Sequence, residues 1–216
     1  MDELCGINLS EPRIELEREI MRAVRCVLRE YSKNSGNQMF NRKEKSVEKV
    51  FIDGSAGTTG LNEIQIVPMM ENDYDEVQKL WMTIHGFRIR VIADSRDDIA
   101  RFIRRNPSTS VIAKIQGKIV GSILCGYDGR QGSLYHVCVA KEYRRLGIGT
   151  QMVVYCMQRL SEMGVNKVTL IAFKDNDAGN AFWNQTGWTR SDVNFYEFVL
   201  NENNITHFIT GDDVSD

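Results

Sequence analysis

The stretch "EYRRLGIGTQM", from Glu142 to Met152, lies between a segment with the alternation of a strand and one with the spacing of a helix. Arg144 and Arg145 come shortly before the expected first turn of that helix, and the turn contains a Gly-x-Gly pair. N–H groups in the first turn of a helix lack an intrahelical partner and lie at the positive end of the helix dipole. Because glycine lets an anion approach these groups closely, the stretch predicts a binding site for a diphosphate.

A packing role for the two glycines of this stretch remains open, whereas nucleotide sites at the glycines of this chain are disfavoured. Gly147 and Gly149 could serve only close packing of the helix on a sheet, with both arginines in solvent. A nicotinamide dinucleotide or a nucleoside triphosphate is disfavoured, because Met152 stands in the place of a third glycine and no Gly-Lys-Ser/Thr run occurs. A second glycine loop, within Lys49 to Leu61, precedes a strand pattern rather than a helix and predicts no dinucleotide site.

Strand patterns surround the quoted stretch. Three alternating segments, Ser110 to Ile115, Lys118 to Tyr127 and Gly132 to Ala140, are separated by short turns. They predict an antiparallel meander. The helix that follows runs from about Gly147 to Gly164 and leads into the apolar segment Lys167 to Phe173. A strand, a helix and a second strand in this order predict two parallel neighbours with the helix packed across them.

Further elements precede and follow this unit. A strand over Ile64 to Val67 is followed by an amphipathic helix over Glu71 to Ile84. A second helix starts near Ser95, which has an acidic residue three positions on, and it ends before a proline. A short helix over about Asp177 to Gln185 and a last strand over Asp192 to Leu200 complete the pattern.

The composition is that of a globular protein. Of 216 residues, 42% are apolar, and the formal net charge of −2 disfavours nucleic acid as a partner. No run of about 18 apolar residues predicts a membrane span, and an acidic N-terminus without an apolar core predicts a cytoplasmic protein. The cysteines form no metal-binding Cys-x-x-Cys pair, so we expect buried thiols and no metal. They are Cys5, Cys26, Cys125, Cys138 and Cys156.

The chain divides into three predicted parts. Residues 1–60 form an extension with an amphipathic helix over 11–31 and a polar linker, residues 61–200 form the main domain, and residues 201–216 form a polar tail. The helix in the extension could make the protein a homodimer.

The motifs resemble those of the GNAT acetyltransferases, in particular the branch of small bacterial acetyltransferases. The run Arg144 to Gly149 resembles the R/Q-x-x-G-x-G/A motif of that family, and "DNDAGNAFWNQTGW" from Asp175 to Trp188 is similar to its N-x-x-A-x-x-F-Y-x-x-x-G-F signature. The order of elements from Ile64 to Leu200 is similar as well. The resemblance implies an α/β (α+β) fold with a mixed, mostly antiparallel central sheet and flanking helices.

The same resemblance implies an acetyl-coenzyme A site and N-acetyl transfer to a primary amine by direct attack. The backbone at Val137, Cys138 and Val139 would pair with the pantetheine arm, and Asn176 would contact its far side. The pyrophosphate would be held by the helix start and the arginines, and Trp183 stands where the family has a tyrosine. The residues at the helix start are Arg144, Arg145, Leu146, Gly147, Ile148, Gly149 and Thr150. A non-catalytic module that binds or senses acyl-coenzyme A is the alternative.

Candidate catalytic residues follow from the chemistry of amine acetylation. Ser133 occupies the position of a family glutamate and could orient a water, while His136 is the nearest titratable group on that strand. His136 could equally be a structural strand histidine. Tyr135 and Tyr196 are candidates to protonate the leaving thiolate, or are core aromatics. A covalent acetyl-cysteine at Cys138 is disfavoured, because a histidine two residues away on a strand lies about 7 Å off.

The acceptor amine is expected to enter opposite the cofactor, next to the stretch "LWMTIHGFRIR". Candidate contacts are Trp81, His85, Phe87 and Arg88. The aromatic residues among them could instead belong to the core. The sequence does not distinguish an amino acid, a peptide N-terminus and a polyamine as acceptor.

Overall fold

The computed structural model describes residues 64–210. The predicted N-terminal extension with its helix, the glycine loop before residue 62 and the last six residues lie outside the described residues. Within them the chain forms seven strands, four α-helices and two short 3-10 turns. The strands and helices are β1 Ile64–Pro68, α1 Tyr74–Met82, β2 Arg88–Arg90, α2 Arg96–Arg105, β3 Val111–Ile115, β4 Lys118–Tyr127, β5 Gly132–Val139, α3 Ile148–Glu162, β6 Val168–Leu170, α4 Asp177–Gln185 and β7 Thr206–Phe208.

The main sheet has five strands in the order β1-β3-β4-β5-β6. The β1–β3, β3–β4 and β4–β5 pairs are antiparallel, and the β5–β6 pair is parallel. Both the meander and the crossover through α3 are therefore confirmed, as is the mixed, mostly antiparallel fold with flanking helices. Strands β2 and β7 form a separate two-stranded antiparallel sheet.

Local signals in the sequence explain the bounds of two helices. Helix α2 starts where the Ser95 hydroxyl accepts a hydrogen bond from the Asp98 N–H at 3.4 Å, so the predicted N-cap is confirmed. Helix α3 ends at Glu162, and Gly164 follows with φ +79°. A left-handed residue just after a helix is commonly glycine, because a Cβ would be strained there.

Two apolar cores lie on the two faces of the main sheet. Val111 and Ala113 pack towards α3, whereas Ile112 between them packs towards α1. The alternation of side chains along a strand thus feeds both cores. Trp81 of α1 is completely buried, and its indole N–H donates to the Ser122 hydroxyl at 2.9 Å.

The C-terminal part differs from the prediction. The strand expected over Asp192 to Leu200 is not formed; these residues have no regular secondary structure, and Phe198 is 86% exposed. Instead β7 lies in the segment predicted as a polar tail. It pairs with β2, and neither of these two strands is predicted from the sequence. Ile209, directly after β7, is 3% exposed. An apolar alternation predicts a strand without specifying the edge that must pair with it, and this explains the error.

Strand β6 is also shorter than predicted, because it diverges from β5 after Leu170. In the part of the chain that the structure describes, no helix combines the length and the apolar character needed to cross a membrane. The same residues contain no cluster of three or more His, Cys, Asp or Glu suited to a metal ion.

Candidate active site

A cleft opens where β5 and β6 diverge. The two strands pair only from Gly132 to Leu134 and from Val168 to Leu170. Beyond this point β5 continues to Val139 with no described strand paired to its β6 side. The cleft has a volume of about 2090 Å³ and is lined on one side by the β5 edge and on the other by the start of α3. Backbone groups on such an edge can pair with an extended ligand.

A β-bulge interrupts β5 in the middle of this edge. The pairing with β4 shifts so that Ile123 faces two residues of β5, His136 and Val137. His136 has φ +46°, a left-handed conformation that is uncommon for residues other than glycine. Bulges redirect side chains and are frequent next to active sites.

The bulge turns two successive side chains to the same face of the sheet. Tyr135 makes an edge-to-face contact with Phe102 of α2 at 6.0 Å between ring centroids. The His136 ring lies 4.6 Å from the ring of Trp81 in α1. Both side chains therefore point towards α1 and α2, and both line the cleft.

His136 is paired with a carboxylate that sequence reasoning missed. Its Nε2 atom lies 2.6 Å from Oδ1 of Asp94, and the two side chains are 14% and 8% exposed. Oδ2 of Asp94 accepts a hydrogen bond from the Arg90 N–H at 2.7 Å, which fixes the carboxylate. An ionised carboxylate only accepts hydrogen bonds, so in this contact Nε2 is the donor and a neutral ring would carry its lone pair on Nδ1.

Asp94 could not be singled out from the sequence, because it stands in a polar turn beside the N-cap of α2. Its carbonyl oxygen also accepts a hydrogen bond from the Tyr74 hydroxyl at 2.8 Å. Burial raises the pKa of Tyr74, so that this hydroxyl keeps the proton that it donates.

The side chain of Cys138 is part of the buried core and is not placed to act as a nucleophile in the cleft. Its sulfur lies 3.4 Å from the Ser122 hydroxyl, and burial raises the pKa of the thiol to about 11. A thiolate is the nucleophilic form, so this environment opposes a covalent acetyl-cysteine. Only the backbone of Cys138 remains a candidate for ligand contacts.

The start of α3 forms the other wall of the cleft. Gly147 is the N-cap in a left-handed conformation, φ +77°, and the first helical hydrogen bond runs from the Gln151 N–H to its carbonyl at 3.1 Å. The N–H groups at 148–150 precede that bond and have no acceptor within the helix, and their residues line the cleft. A Cβ added at Gly149 would lie 3.4 Å from the ring of Phe182 on α4 and 3.9 Å from Val139 on β5, which is van der Waals contact, so close packing on the sheet does not require this glycine.

The two arginines lie beside this helix start. Arg144 is exposed, and its Nε donates to the Val139 carbonyl at 3.0 Å, which connects the loop to the β5 edge. Arg145 is exposed as well and adopts φ +66°. Together with the helix N–H groups they suit an anion, and the chain therefore fits a diphosphate here.

The remaining cofactor candidates lie on or near α4. The Asn176 side chain caps that helix by accepting from the Gly179 N–H at 2.9 Å, and it lines the cleft. Trp183 also lines the cleft and packs 4.8 Å from Phe182 and 5.1 Å from Trp188, measured between ring centroids.

Not every candidate residue reaches the cleft. Trp81 is completely buried, so it belongs to the core and not to the acceptor surface. Its ring packs against the ring of His136. Tyr196 is 86% exposed and is not among the residues that line the cleft. The Ser133 hydroxyl lies 3.3 Å from that of Thr169, between β5 and β6. His85, Phe87 and Arg88 line the cleft as expected.

Comparisons with known sequences agree with this geometry. The sequence model of the Acetyltransferase (GNAT) family matches residues 74–188. An acetyltransferase of Yersinia pestis (strain Pestoides F) is 34% identical over 116 residues, 54% of this chain and 79% of that protein. An acetyltransferase of Photorhabdus laumondii is 33% identical over 115 residues, 53% of this chain and 79% of that protein.

Solved structures with a similar fold include two that were crystallised with coenzyme A. The PaiA N-acetyltransferase from Thermoplasma acidophilum has a TM-score of 0.54 and 15% identity, with 61% of this chain and 93% of that chain covered. The aminoglycoside N-acetyltransferase AAC(6')-Iy has a TM-score of 0.52 and 11% identity, with 67% and 99% covered. At such identities the likeness concerns the fold alone.

Proposed function

Because this chain belongs to the GNAT acetyltransferase family, we propose that it transfers the acetyl group of acetyl-coenzyme A directly to a primary amine. The observation that carries the proposal is a cleft lined both by the β5 edge that β6 leaves unpaired and by the start of α3, whose first N–H groups have no acceptor within the helix. One wall suits an extended arm and the other suits a diphosphate. Acetyl-coenzyme A has both parts and supplies a reactive thioester.

The residues that would hold the donor lie along this cleft. N–H groups at 148–150 would bind the pyrophosphate, with Arg144 and Arg145 adding positive charge. The β5 backbone at Val137 to Val139 would pair with the pantetheine arm, and the carbonyl of Val139 keeps a second lone pair beside its bond from Arg144. Asn176 and Trp183 line the cleft and would complete the cofactor side, whereas Leu146, an expected cofactor contact, is 44% exposed and does not line the cleft.

His136 is the proposed base. The attacking amine nitrogen must give up a proton as its bond to the acetyl carbon forms, and the Nδ1 lone pair of a neutral imidazole can accept it. Asp94 holds the ring through Nε2, and the rings of Trp81 and Phe87 lie 4.6 Å and 5.5 Å from it. The amine nitrogen bonds to the acetyl carbon, the carbon–sulfur bond breaks, and His136 takes the amine proton; solvent then carries that proton to the group that has protonated the thiolate.

Two further roles concern the leaving group and the thioester oxygen. Tyr135 lines the cleft and is 50% exposed, so we propose that it, rather than Tyr196, protonates the departing thiolate. Backbone N–H groups of the bulge would stabilise negative charge on the thioester oxygen. The Ser133 hydroxyl lies within hydrogen-bond distance of the Thr169 hydroxyl, and we propose that this contact holds β5 and β6 together.

The acceptor would be a small molecule or a peptide with a free amine, reached from the side of His85, Phe87 and Arg88. A cytoplasmic location is proposed because Cys125, Cys138 and Cys156 are free buried thiols, as expected in a reducing compartment. Dimerisation through the N-terminal extension remains a prediction from the sequence.

A non-catalytic module that binds acyl-coenzyme A is the second candidate. It is favoured by the indole of Trp183 in place of a tyrosine, because an indole does not act as a proton donor to a thiolate. Thiol release from acetyl-coenzyme A in the presence of a panel of amines separates the two functions. Release with a matching gain of one acetyl mass on an amine supports the enzyme, whereas coenzyme A binding without turnover of any amine supports the module.

A further inference from the structure

The charges on the acceptor side of the cleft do not balance once ion pairs are formed. Arg90 pairs with Glu197 at 3.3 Å, and Arg101 pairs with Asp98 at 2.8 Å. Asp94 is engaged by His136 and a backbone N–H, as described above. The cleft also contains Arg88 and Arg105, and among residues 64–210 no carboxylate lies within ion-pair distance of either. Asp175 and Asp177 also line the cleft but form no ion pair with Arg88 or Arg105, so the charge of these two arginines is not neutralised by a contact.

Arg88 is held in a defined orientation by two aromatic rings. Its guanidinium carbon lies 3.5 Å from the ring centroid of Phe173 and 4.8 Å from that of Phe208. Stacking on ring faces fixes the plane of a guanidinium and leaves the N–H donors at its edge available. Less rotamer entropy is then lost when an anion binds, and a carboxylate matches the fork of donors in a bidentate way.

The position of Arg88 relates it to the proposed base. The preceding residue, Phe87, packs 5.5 Å from the ring of His136. Phe173 follows β6 by three residues and therefore lies beyond the point where β5 and β6 separate. His136 and Arg88 line the same cleft, so an acceptor bound there would present its amine to the first and a second group to the other.

We propose that the acceptor amine carries an anionic group, such as a carboxylate, and that Arg88 binds that group. This inference rests on the proposed acetyl transfer to an amine. It selects amino acids and short peptides with a carboxylate over polyamines, because a second positive charge on the acceptor would be repelled by Arg88 and Arg105.

The test uses acceptors in matched pairs, each an α-amino acid, an ω-amino acid or a dipeptide together with its own primary amide. Both members carry the same amine, and only one carries the carboxylate. We expect a kcat/KM for the best acid at least about 10-fold above that for its amide, because the carboxylate accepts charge-assisted hydrogen bonds that the neutral amide cannot replace. The amine of an amide is less basic and more often neutral, so a preference for the acid would not arise from amine basicity.

Arg88→Gln is expected to abolish this preference by raising the KM of the acid, with the KM of acetyl-coenzyme A unchanged. Arg88→Lys, which keeps the charge but not the fork, is expected to be intermediate. Arg159→Gln is the matched control, because that exposed arginine also stacks on a ring, that of Tyr155 at 5.5 Å, outside the cleft. It is expected to keep the wild-type preference.

The outcomes separate this inference from the proposed function. Turnover with equal or better use of the amides, an unchanged preference in Arg88→Gln, or a raised KM for acetyl-coenzyme A in that variant would overturn the role of Arg88 alone. Turnover of no amine would overturn the proposed function and this inference with it. Melting temperatures of the variants establish that each is folded.

Discussion

The Nε2 atom of His136 lies 2.6 Å from Oδ1 of Asp94, and the pair is buried beside the bulge of β5. A strand histidine with a carboxylate partner of this kind is oriented in one tautomer and can receive a proton on its other nitrogen. The distance in sequence between the two residues, 42 positions, explains why the pair is visible only in the fold.

Loss of the Asp94 carboxylate should impair turnover rather than donor binding. In Asp94→Asn we expect kcat to fall about 10- to 100-fold, with little change in the KM of acetyl-coenzyme A, because the amide holds the ring less specifically. His136→Gln should cost at least as much. The double variant should be no worse than His136→Gln alone, since the two residues act as a unit.

A control variant separates the catalytic role of the Asp94 carboxylate from a purely structural role of this turn. Tyr74→Phe removes the hydrogen bond to the carbonyl of Asp94 but leaves its carboxylate in place. It should lower the free energy of unfolding by about 1 kcal/mol and leave kcat within a factor of about two. Additive losses in the Asp94 and His136 double variant would contradict the dyad.

The conformation of Gly147 provides a test of the helix start. Gly147→Ala places a Cβ on a residue with φ +77°, so we expect a loss of about 1 kcal/mol in stability and a coenzyme A affinity about 10-fold weaker by calorimetry. Gly164→Ala introduces the same strain, φ +79°, at the other end of the same helix. It should show the stability loss with unchanged affinity; equal affinity losses in both variants would contradict a specific role of the helix start.

Cys138 should have no part in the chemistry. With a pKa of about 11, roughly one thiol in a thousand is ionised at pH 8. Cys138→Ala should therefore retain kcat, at a stability cost of about 1 kcal/mol for the lost packing. Intact mass spectrometry of the wild type mixed with acetyl-coenzyme A should reveal no acetyl adduct, and an adduct that disappears in Cys138→Ala would contradict direct transfer.

Stability should fall as the pH rises from 9 to 11. The unfolded thiol of Cys138 loses its proton near its ordinary value of 9.0, whereas the folded thiol keeps it until about pH 11. Since the folded state binds more protons in this window, the free energy of unfolding should drop by roughly 2 kcal/mol between pH 9 and 11 through this residue. Denaturant unfolding of the wild type and Cys138→Ala at both ends of the window measures the difference, and identical pH dependence would contradict the burial of the thiol.

Much of the fold follows from local spacing in the sequence. The three strands of the meander are separated by turns of a few residues, and helices α2 and α3 carry their own start and stop signals at Ser95, Gly147 and Gly164. Each of these features depends on neighbours within a few positions. The glycines and arginines of the helix start could be singled out for the same reason.

The missed features depend on contacts between distant residues. The pairing of β2 with β7 joins Ile89 to His207, and nothing in either segment specifies the other. The bulge at His136 exists only relative to the register of β4. The sequence leaves Trp81 open between the acceptor surface and the core, and its burial with a hydrogen bond to Ser122 on β4 decides for the core.

The central claim is that the start of α3 and the edge of β5 hold the donor between them. A crystal structure of the protein soaked with coenzyme A tests this most directly. We predict that the two phosphates lie within hydrogen-bond distance of the N–H groups at 148–150 and that the arm runs along Val137 to Val139. Phosphates bound at another surface, with the helix start free of ligand, would contradict the account.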